Sequence, residues 1–430
     1  MLQNHGLWIF AFFVTMLAGI PIGFGLGIGS LVTLLVKGYS LSTIAARMFT
    51  GVDNFPIMAI PFFCIAGDLM SETGITQRLV KFADTLVGHI RGGLGHVNVV
   101  AECFFSGITG SAIADASALG SMLIPSMVEK GFDVGFSAAV VASASVIGPI
   151  IPPSIPFVVY GLITGTSVGG LFMAGMVPGI LLAIGLMVVI YIISVRRGYP
   201  ANARRATLKE VLVATYKAMV ALMMPIIILG GIMLGVFTAT EASAVAVVYA
   251  LIIGFIVYRN LDIRRIPKLL LNSSRTMGIV FLVMATANIF NWLMAIEQVP
   301  QRVSMALTSQ VTNPAMLLLI INAVLLVLGC FMEGTAAMIL TVPIILEIMK
   351  GSGIHPIMLG IIVVLNLMIG LITPPLGLSL YVSCSMAKIS LDRISRQIWP
   401  FVLVEVIVLL LVTYIEPISM WLPRLTGFAR

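Results

Sequence analysis

The 430-residue sequence predicts an all-α integral membrane protein: polytopic helices in two inverted-topology repeats, each with a re-entrant helical hairpin and an interrupted transmembrane helix. Three observations carry that prediction. Hydrophobic residues make up 60% of the chain and charged residues only 10%, against about 25% charged in a soluble domain, and the mean hydropathy is +1.13. Long apolar runs recur along the whole length. A set of helix-breaking residues in the first half recurs in the second at a nearly constant offset.

The composition leaves too little polar surface to cover the chain in water, so the lipid bilayer is its expected solvent. Lys and Arg cluster between apolar runs, at Arg196, Arg197, Arg204, Arg205, Lys209 and Lys217, and again at 259–268 and 388–396. Short basic loops between spans read as cytoplasmic anchors. A nucleic-acid patch is the competing reading of a net charge of +7; no soluble region exists to carry one, so no nucleic acid is expected as a partner. The four cysteines lack C-x-x-C spacing and the four histidines form no metal-binding pattern. Neither a transition metal nor a cofactor is expected. Residues 7–36 lack a basic leader and an A-x-A site, and read as retained.

Apolar segments cover 7–36, 54–70, 134–165, 170–195, 218–236, 240–258, 276–296, 356–387 and 400–415. A helical span needs about 20 residues. The runs 134–165 and 356–387 are longer than that and contain Gly and Pro, so each tilts or breaks. Residues 7–36 form one span or two short ones around Pro21. The stretches 93–130 and 313–350 are apolar but carry small polar residues and one carboxylate at the middle, as two half-helices meeting at a tip would. Residues 76–91 and 299–311 read as amphipathic helices in the interface. The resulting organisation is an N-terminal membrane segment, 1–55; a first repeat, 56–195; a cytoplasmic basic loop, 196–217; scaffold helices, 218–275; a second repeat, 276–415; and a C-terminal tail, 416–430.

The repeat rests on matched punctuation. Asp115, Pro125 and Glu129 recur as Glu333, Pro343 and Glu347 at an offset of 218, while Gly148, Pro152, Pro153 and Pro178 recur as Gly370, Pro374, Pro375 and Pro400 at 222. The four-residue difference is expected between the hairpin and the next span. With 196–217 in the cytoplasm, 18 of the 24 Lys and Arg are cytoplasmic, leaving Lys37, Arg47, Arg302, Lys350, Arg424 and Arg430 outside. The two hairpins then enter from opposite sides.

Four segments hold polar groups that a lipid-facing helix would not tolerate. They are Ser106 to Ser111 running into Asp115; Ser143 to Ser154, with Gly148, Pro149, Pro152 and Pro153; Gly329 to Thr335, with Glu333 and Gly334; and Asn366 to Pro375, with Gly370, Thr373 and Pro374. Proline removes a donor and glycine lets the backbone turn away from helix geometry. The freed carbonyls must be buried or line a cavity. A tip opposite an unwound span therefore gathers carbonyls and hydroxyls, which suit Na⁺, and helix N-termini, which suit a carboxylate. The plainer reading is that each Ser or Thr bonds its own helix. Asp115 and Glu333 are intramembrane carboxylates, either ligands or caps that hold the hairpins. Thr109, Gly110, Ser111, Pro152, Pro153 and Ser154 in one half, with Gly334, Pro374 and Pro375 in the other, lie in the vicinity of the expected substrate site. Glu102, Glu241 and Glu405 have no sequence-based explanation.

At these residues the chain resembles the large permease subunit of tripartite ATP-independent periplasmic (TRAP) transporters, dicarboxylate or sialic-acid type. The most specific stretches are Phe105-Ser106-Gly107-Ile108-Thr109-Gly110-Ser111-Ala112-Ile113-Ala114-Asp115-Ala116 and Gly148-Pro149-Ile150-Ile151-Pro152-Pro153-Ser154-Ile155-Pro156. Leu371-Ile372-Thr373-Pro374-Pro375 agrees too. The resemblance implies a multi-pass protein of the bacterial inner membrane that works as an elevator-type transporter with Na⁺ as coupling ion. It implies a small four-helix membrane subunit and a periplasmic substrate-binding protein as partners, and a small organic anion as substrate. It also implies cation coordination at Ser106, Gly107, Ser145, Gly148 and Pro149 in one half and at Gly329, Thr335, Gly370 and Thr373 in the other.

Two other classes fit less well. An intramembrane protease would need a partner for Gly67-Asp68, and no Tyr-Asp dipeptide supplies it. A channel also uses re-entrant hairpins, but inverted hairpins suit alternating access better than one pore. No enzyme activity is expected, and which organic anion is carried is not written in the sequence.

Overall fold

The structure, a computed structural model, describes residues 7–201 and 204–429, and no strand occurs among them. Residues 1–6 of the N-terminal segment, 202–203 of the basic loop, and Arg430 lie outside the described residues.

Pro21 divides the N-terminal run into α1 (Leu7–Leu17) and α2 (Ile22–Lys37), two short helices packed on each other. Next come α3 (Ser42–Val52), α4 (Ala59–Glu72) and the amphipathic α5 (Ile75–Val87), which buries Leu79 and Phe82. The first hairpin is α6 (Gly93–Thr109) and α7 (Ala112–Glu129). An interrupted helix follows, α8 (Val134–Ala144) and α9 (Ile155–Thr164), and then the long α10 (Val168–Arg197).

The basic loop is shorter than 196–217. Helix α11 (Leu208–Met233) already begins at Leu208, because Thr207 and Glu210 form a capping box that satisfies its first donors. The same device, Thr238 with Glu241, starts α12 (Ala239–Ile252), which accounts for Glu241. The second half contains α13 (Ile266–Ile296), α14 (Val299–Thr308), a hairpin of α15 (Pro314–Phe331) and α16 (Gly334–Ile348), an interrupted helix of α17 (Pro356–Gly370) and α18 (Leu378–Ala387), and the long α19 (Leu391–Tyr414). The expected tail is in fact helical, α20 (Glu416–Leu425), with Pro417 in its first turn, and it packs against α10.

Among the described residues, seven helical stretches are long and apolar enough to cross a membrane, including those of α10, α11, α13, α15 and α19. Their outer faces expose large apolar side chains such as Ile184, Val188 and Leu403, as a surface solvated by hydrocarbon does. The deepest elements are the first arms of the interrupted helices. Every residue of α17 from Ile357 to Gly370 is buried, as is every residue of α8 from Gly135 to Ala144. Both are apolar on all sides, and such helices belong inside a bundle.

The two halves interlock. Helix α7 packs on α18 and α8 on α19; in the other direction, α16 packs on α9 and α17 on α10. A separate group surrounds them: α2, α3 and α4 pack on α13, and α12 packs on α4. Closeness there depends on glycine. A Cβ at Gly23 would stand 3.1 Å from Leu282, and one at Gly27 would stand 3.3 Å from Thr286, so these two residues let α2 lie close against α13.

Candidate functional site

The helix break in the first half starts at Gly148 and ends where α9 begins at Ile155. Pro149, Pro152 and Pro153 have no N–H to continue a helix, and the Pro152–Pro153 peptide is cis. Ser154 closes the break twice: its Oγ donates to the Pro149 carbonyl at 2.5 Å and accepts from the Phe157 N–H at 3.2 Å. In the second half the chain leaves helix after Gly370 and resumes at Leu378, and Pro374–Pro375 is likewise cis. There the Gly377 N–H donates to the Cys330 carbonyl at 3.2 Å, tying the break to the hairpin beside it, and the Ser379 N–H donates to the Leu371 carbonyl at 3.0 Å, closing the break on itself.

Each hairpin turns in two residues. At the first tip, Gly110 adopts a left-handed φ of 63° and Ser111, extended, precedes α7. A side chain at Gly110 would meet the Pro153 carbonyl at 2.6 Å, so only glycine lets this tip lie against the broken helix. At the second tip Met332 and Glu333 are both extended, and the Glu333 carboxylate accepts from the Ala336 N–H at 3.0 Å, capping α16.

These caps give a different register from the one expected between the two halves. Ser111 and Glu333 hold the same position before their helices, at an offset of 222, as do Gly107 with Gly329 and Gly148 with Gly370. Pro125 stands 14 residues after Ser111, but Pro343 stands only 10 after Glu333. A four-residue slip, about one helical turn, therefore lies inside the second arm of the hairpin, and the offset returns to 222 between Glu129 and Glu347 on one side and Gly148 and Gly370 on the other. Asp115 and Glu333 are not equivalent. Asp115 sits inside the first turn of α7, fully buried; it accepts a hydrogen bond from the Thr109 hydroxyl and lies against the Cα of Gly148. The Glu102 carboxyl of α6, 1% exposed, is a buried neighbour of Asp115. Glu405 stays unexplained: it is fully buried in α19 with neither carboxylate oxygen hydrogen-bonded.

Between the tips lies a cavity of about 670 Å³. Gly110 to Ala114 and Ser117 line it from the first hairpin, and Glu333, Thr335 and Ala336 from the second. Pro149, Ile155, Pro156, Met368 and Leu371 come from the two breaks, and α2, α4 and α13 form the far wall. Four helix N-termini thus open on one space, those of α2, α7, α9 and α16. The N-termini of α9 and α16 are capped by Ser154 and Glu333, whereas Ser111 makes no capping bond to α7, leaving that helix's first N–H groups open. No Lys or Arg lines the cavity, and Glu333 is its one charged side chain.

Of the residues singled out from sequence, Gly110, Ser111, Pro149, Glu333 and Thr335 reach this cavity. The others do not line it. The hydroxyls of Ser106, Ser145 and Thr373 donate to the carbonyls of Cys103, Ala142 and Ile369 at 2.9, 2.8 and 2.7 Å. That is the plainer reading of such hydroxyls, though each oxygen keeps lone pairs for a cation. Gly329 and Gly370 meet backbone to backbone: a Cβ on Gly329 would stand 3.0 Å from the Gly370 Cα. Helices α6 and α7 both touch the turn at 145–147. Oxygen donors without thiol or imidazole fit an alkali cation, and no group of three His, Cys, Asp or Glu that could hold a metal occurs among the described residues.

Sequence reasoning missed the wall formed by α2 and α13. Its signal is Gly23-x-Gly25-x-Gly27-x-Gly29, whose small faces call for a neighbouring helix, without saying which.

Residues 9–418 match the family model described as "Tripartite ATP-independent periplasmic transporter, DctM component". The chain belongs to the DctM family of TRAP transporters. It is 40% identical over 421 residues to the sialic acid TRAP transporter large permease protein SiaM of Vibrio cholerae, covering 97% of this chain and 98% of that protein. It is 41% identical over 415 residues to the isethionate TRAP transporter permease protein DctMQ of Oleidesulfovibrio alaskensis, covering 96% of this chain and 65% of that longer one. The fold is shared with the YdaH transporter of Alcanivorax borkumensis, with a TM-score of 0.57 at 13% identity over 90% of each chain. This DctM-family chain is a multi-pass membrane transport protein of the permease type, and the family is one of transporter subunits, not enzymes.

Proposed function

We propose that this DctM-family chain imports a small organic anion, such as a C4-dicarboxylate or sialic acid, across the bacterial inner membrane, driven by Na⁺. In this reading a periplasmic receptor delivers the anion and a small four-helix subunit completes the membrane part. One observation carries it: four helix N-termini and two hairpin tips open on one cavity that has no basic side chain. The partial positive charge of those helix ends, with the uncapped amides of α7, binds an anionic group. Ser106, Gly107, Ser145, Gly148 and Pro149 hold one cation, and Gly329, Thr335, Gly370 and Thr373 hold another, each at a break beside the cavity. A sulfonate belongs in the same space, since isethionate names one relative. The reciprocal packing of α7 with α18 and α16 with α9 supports two inverted halves. Movement of that interlocked body against the α2–α4 and α13 group supports an elevator.

The test is uptake in proteoliposomes holding this chain, its small subunit and its receptor. The expected result is saturable uptake that needs an inward Na⁺ gradient; equal uptake with K⁺ as sole cation would overturn the reading. Each Na⁺ entering down about 100 mV yields ~2.3 kcal/mol, and two Na⁺ only cancel a dianion's charge. Electrogenic uptake of a dianion therefore requires more than two Na⁺, and reversal potentials report the number.

A further inference from the structure

Away from the transport cavity, α5 and the start of α11 enclose a second cavity of about 610 Å³. Arg78 and Lys81 reach it from α5, and Arg204, Lys209 and Lys217 from the chain around the start of α11. Asp84 and Glu210 share the space, so five cationic side chains face two carboxylates. Two of the cations are committed to the walls. The Arg78 guanidinium lies 3.5 Å from the centroid of the Tyr258 ring, and Arg204 pairs with Glu210 at 2.7 Å. Lys81, Lys209 and Lys217 appear in no ion pair of the described residues and point an excess of positive charge into the opening.

Directly beside this cavity runs an apolar strip. Leu208, Leu212 and Tyr216 stand one helical turn apart on α11 and are 76%, 60% and 74% exposed, with Lys209 and Val213 bordering both features. A water-facing helix start would not keep three such residues exposed in a row, whereas acyl chains would cover them. The cavity alone would suit any phosphate; the strip next to it selects a phosphate that carries hydrocarbon.

We propose that this cavity binds the headgroup of an anionic phospholipid, with its phosphate among Lys81, Lys209 and Lys217 and its acyl chains along Leu208, Leu212 and Tyr216. The amphipathic α5 and the capped end of α11 are thereby held at membrane depth by a lipid as well as by each other. Basic pockets between membrane helices recognise lipid phosphates by this combination of charge and stem packing.

The experiment uses the full chain purified with its small membrane subunit, and measures binding of phosphatidylglycerol and of phosphatidylcholine by native mass spectrometry and lipid-dependent thermal shift. Phosphatidylglycerol is expected to bind in preference. The K81Q/K217Q double variant should weaken it on the order of tenfold while leaving the melting temperature in phosphatidylcholine unchanged. L212S/Y216S should weaken it as well, and millimolar inorganic phosphate should not displace it. Equal binding of the two lipids, or equal binding by K81Q/K217Q, overturns the proposal. So does competition by inorganic phosphate without any effect of L212S/Y216S, which would make free phosphate the ligand. Lipid retained by the lone chain but not by the two-subunit complex overturns it too, because the small subunit then occupies the cavity.

Discussion

In the first half a carboxylate stands between the hairpin and the broken helix, whereas in the second half main chain meets main chain. Asp115 fills the space beside Gly148 and takes the Thr109 hydroxyl as a donor. Gly329 and Gly370 leave no such space, and the carboxylate of that half, Glu333, instead caps α16 at the cavity's edge. One layout is thus closed in two ways. A side chain can change rotamer when its neighbour grows, but two backbones in contact can only move apart with their helices. The first contact should therefore tolerate change that the second does not.

The largest effect follows from that difference. In G370A the new methyl overlaps the Gly329 backbone, and overpacking of this kind costs about 1–3 kcal/mol or more; initial uptake should fall more than tenfold, with a lower melting temperature. G148A places its methyl on the Asp115 carboxylate and should lose less. Its cost should also overlap with that of D115S, so that the double variant is better than additive by about 1 kcal/mol. Strict additivity in melting temperature and uptake would break the comparison. T109V removes a donor from the buried Asp115 and should destabilise by about 1–3 kcal/mol, seen in thermal unfolding. Neither Thr109 nor Asp115 lines the cavity, so the substrate KM should not move. E333Q is the mildest change. The amide keeps an acceptor for the Ala336 N–H, so stability should hold within about 0.5 kcal/mol. Removing one negative charge from the cavity should lower the KM on the order of threefold, more for a dianion than for a monoanion.

The breaks and tips were legible because the residues that cause them are chemically unmistakable: Gly110, Pro149, Pro152-Pro153 and Pro374-Pro375 each deny the helix a donor or a conformation. The register was less legible. Matching Asp115 to Glu333 paired the carboxylates by type, while their caps show that one sits inside its helix and the other before it. The start of α11 was readable in principle, since Thr207 and Glu210 have capping-box spacing, but the basic residues around them read more strongly as loop. The far wall of the cavity was not readable at all. Gly23 and Gly27 announce a close neighbour, and only the folded chain says that it is α13.

A ligand held by amides and helix ends is recognised for its charged terminus and hardly for the rest of its body. With no arginine or lysine in the chamber to be rewritten, point substitutions there have little purchase on which acid is accepted beyond trimming the room available. On the proposed reading, a lineage changing its diet would do so chiefly by exchanging whatever hands over the cargo, while this chain would go on gripping the one end that all such molecules share.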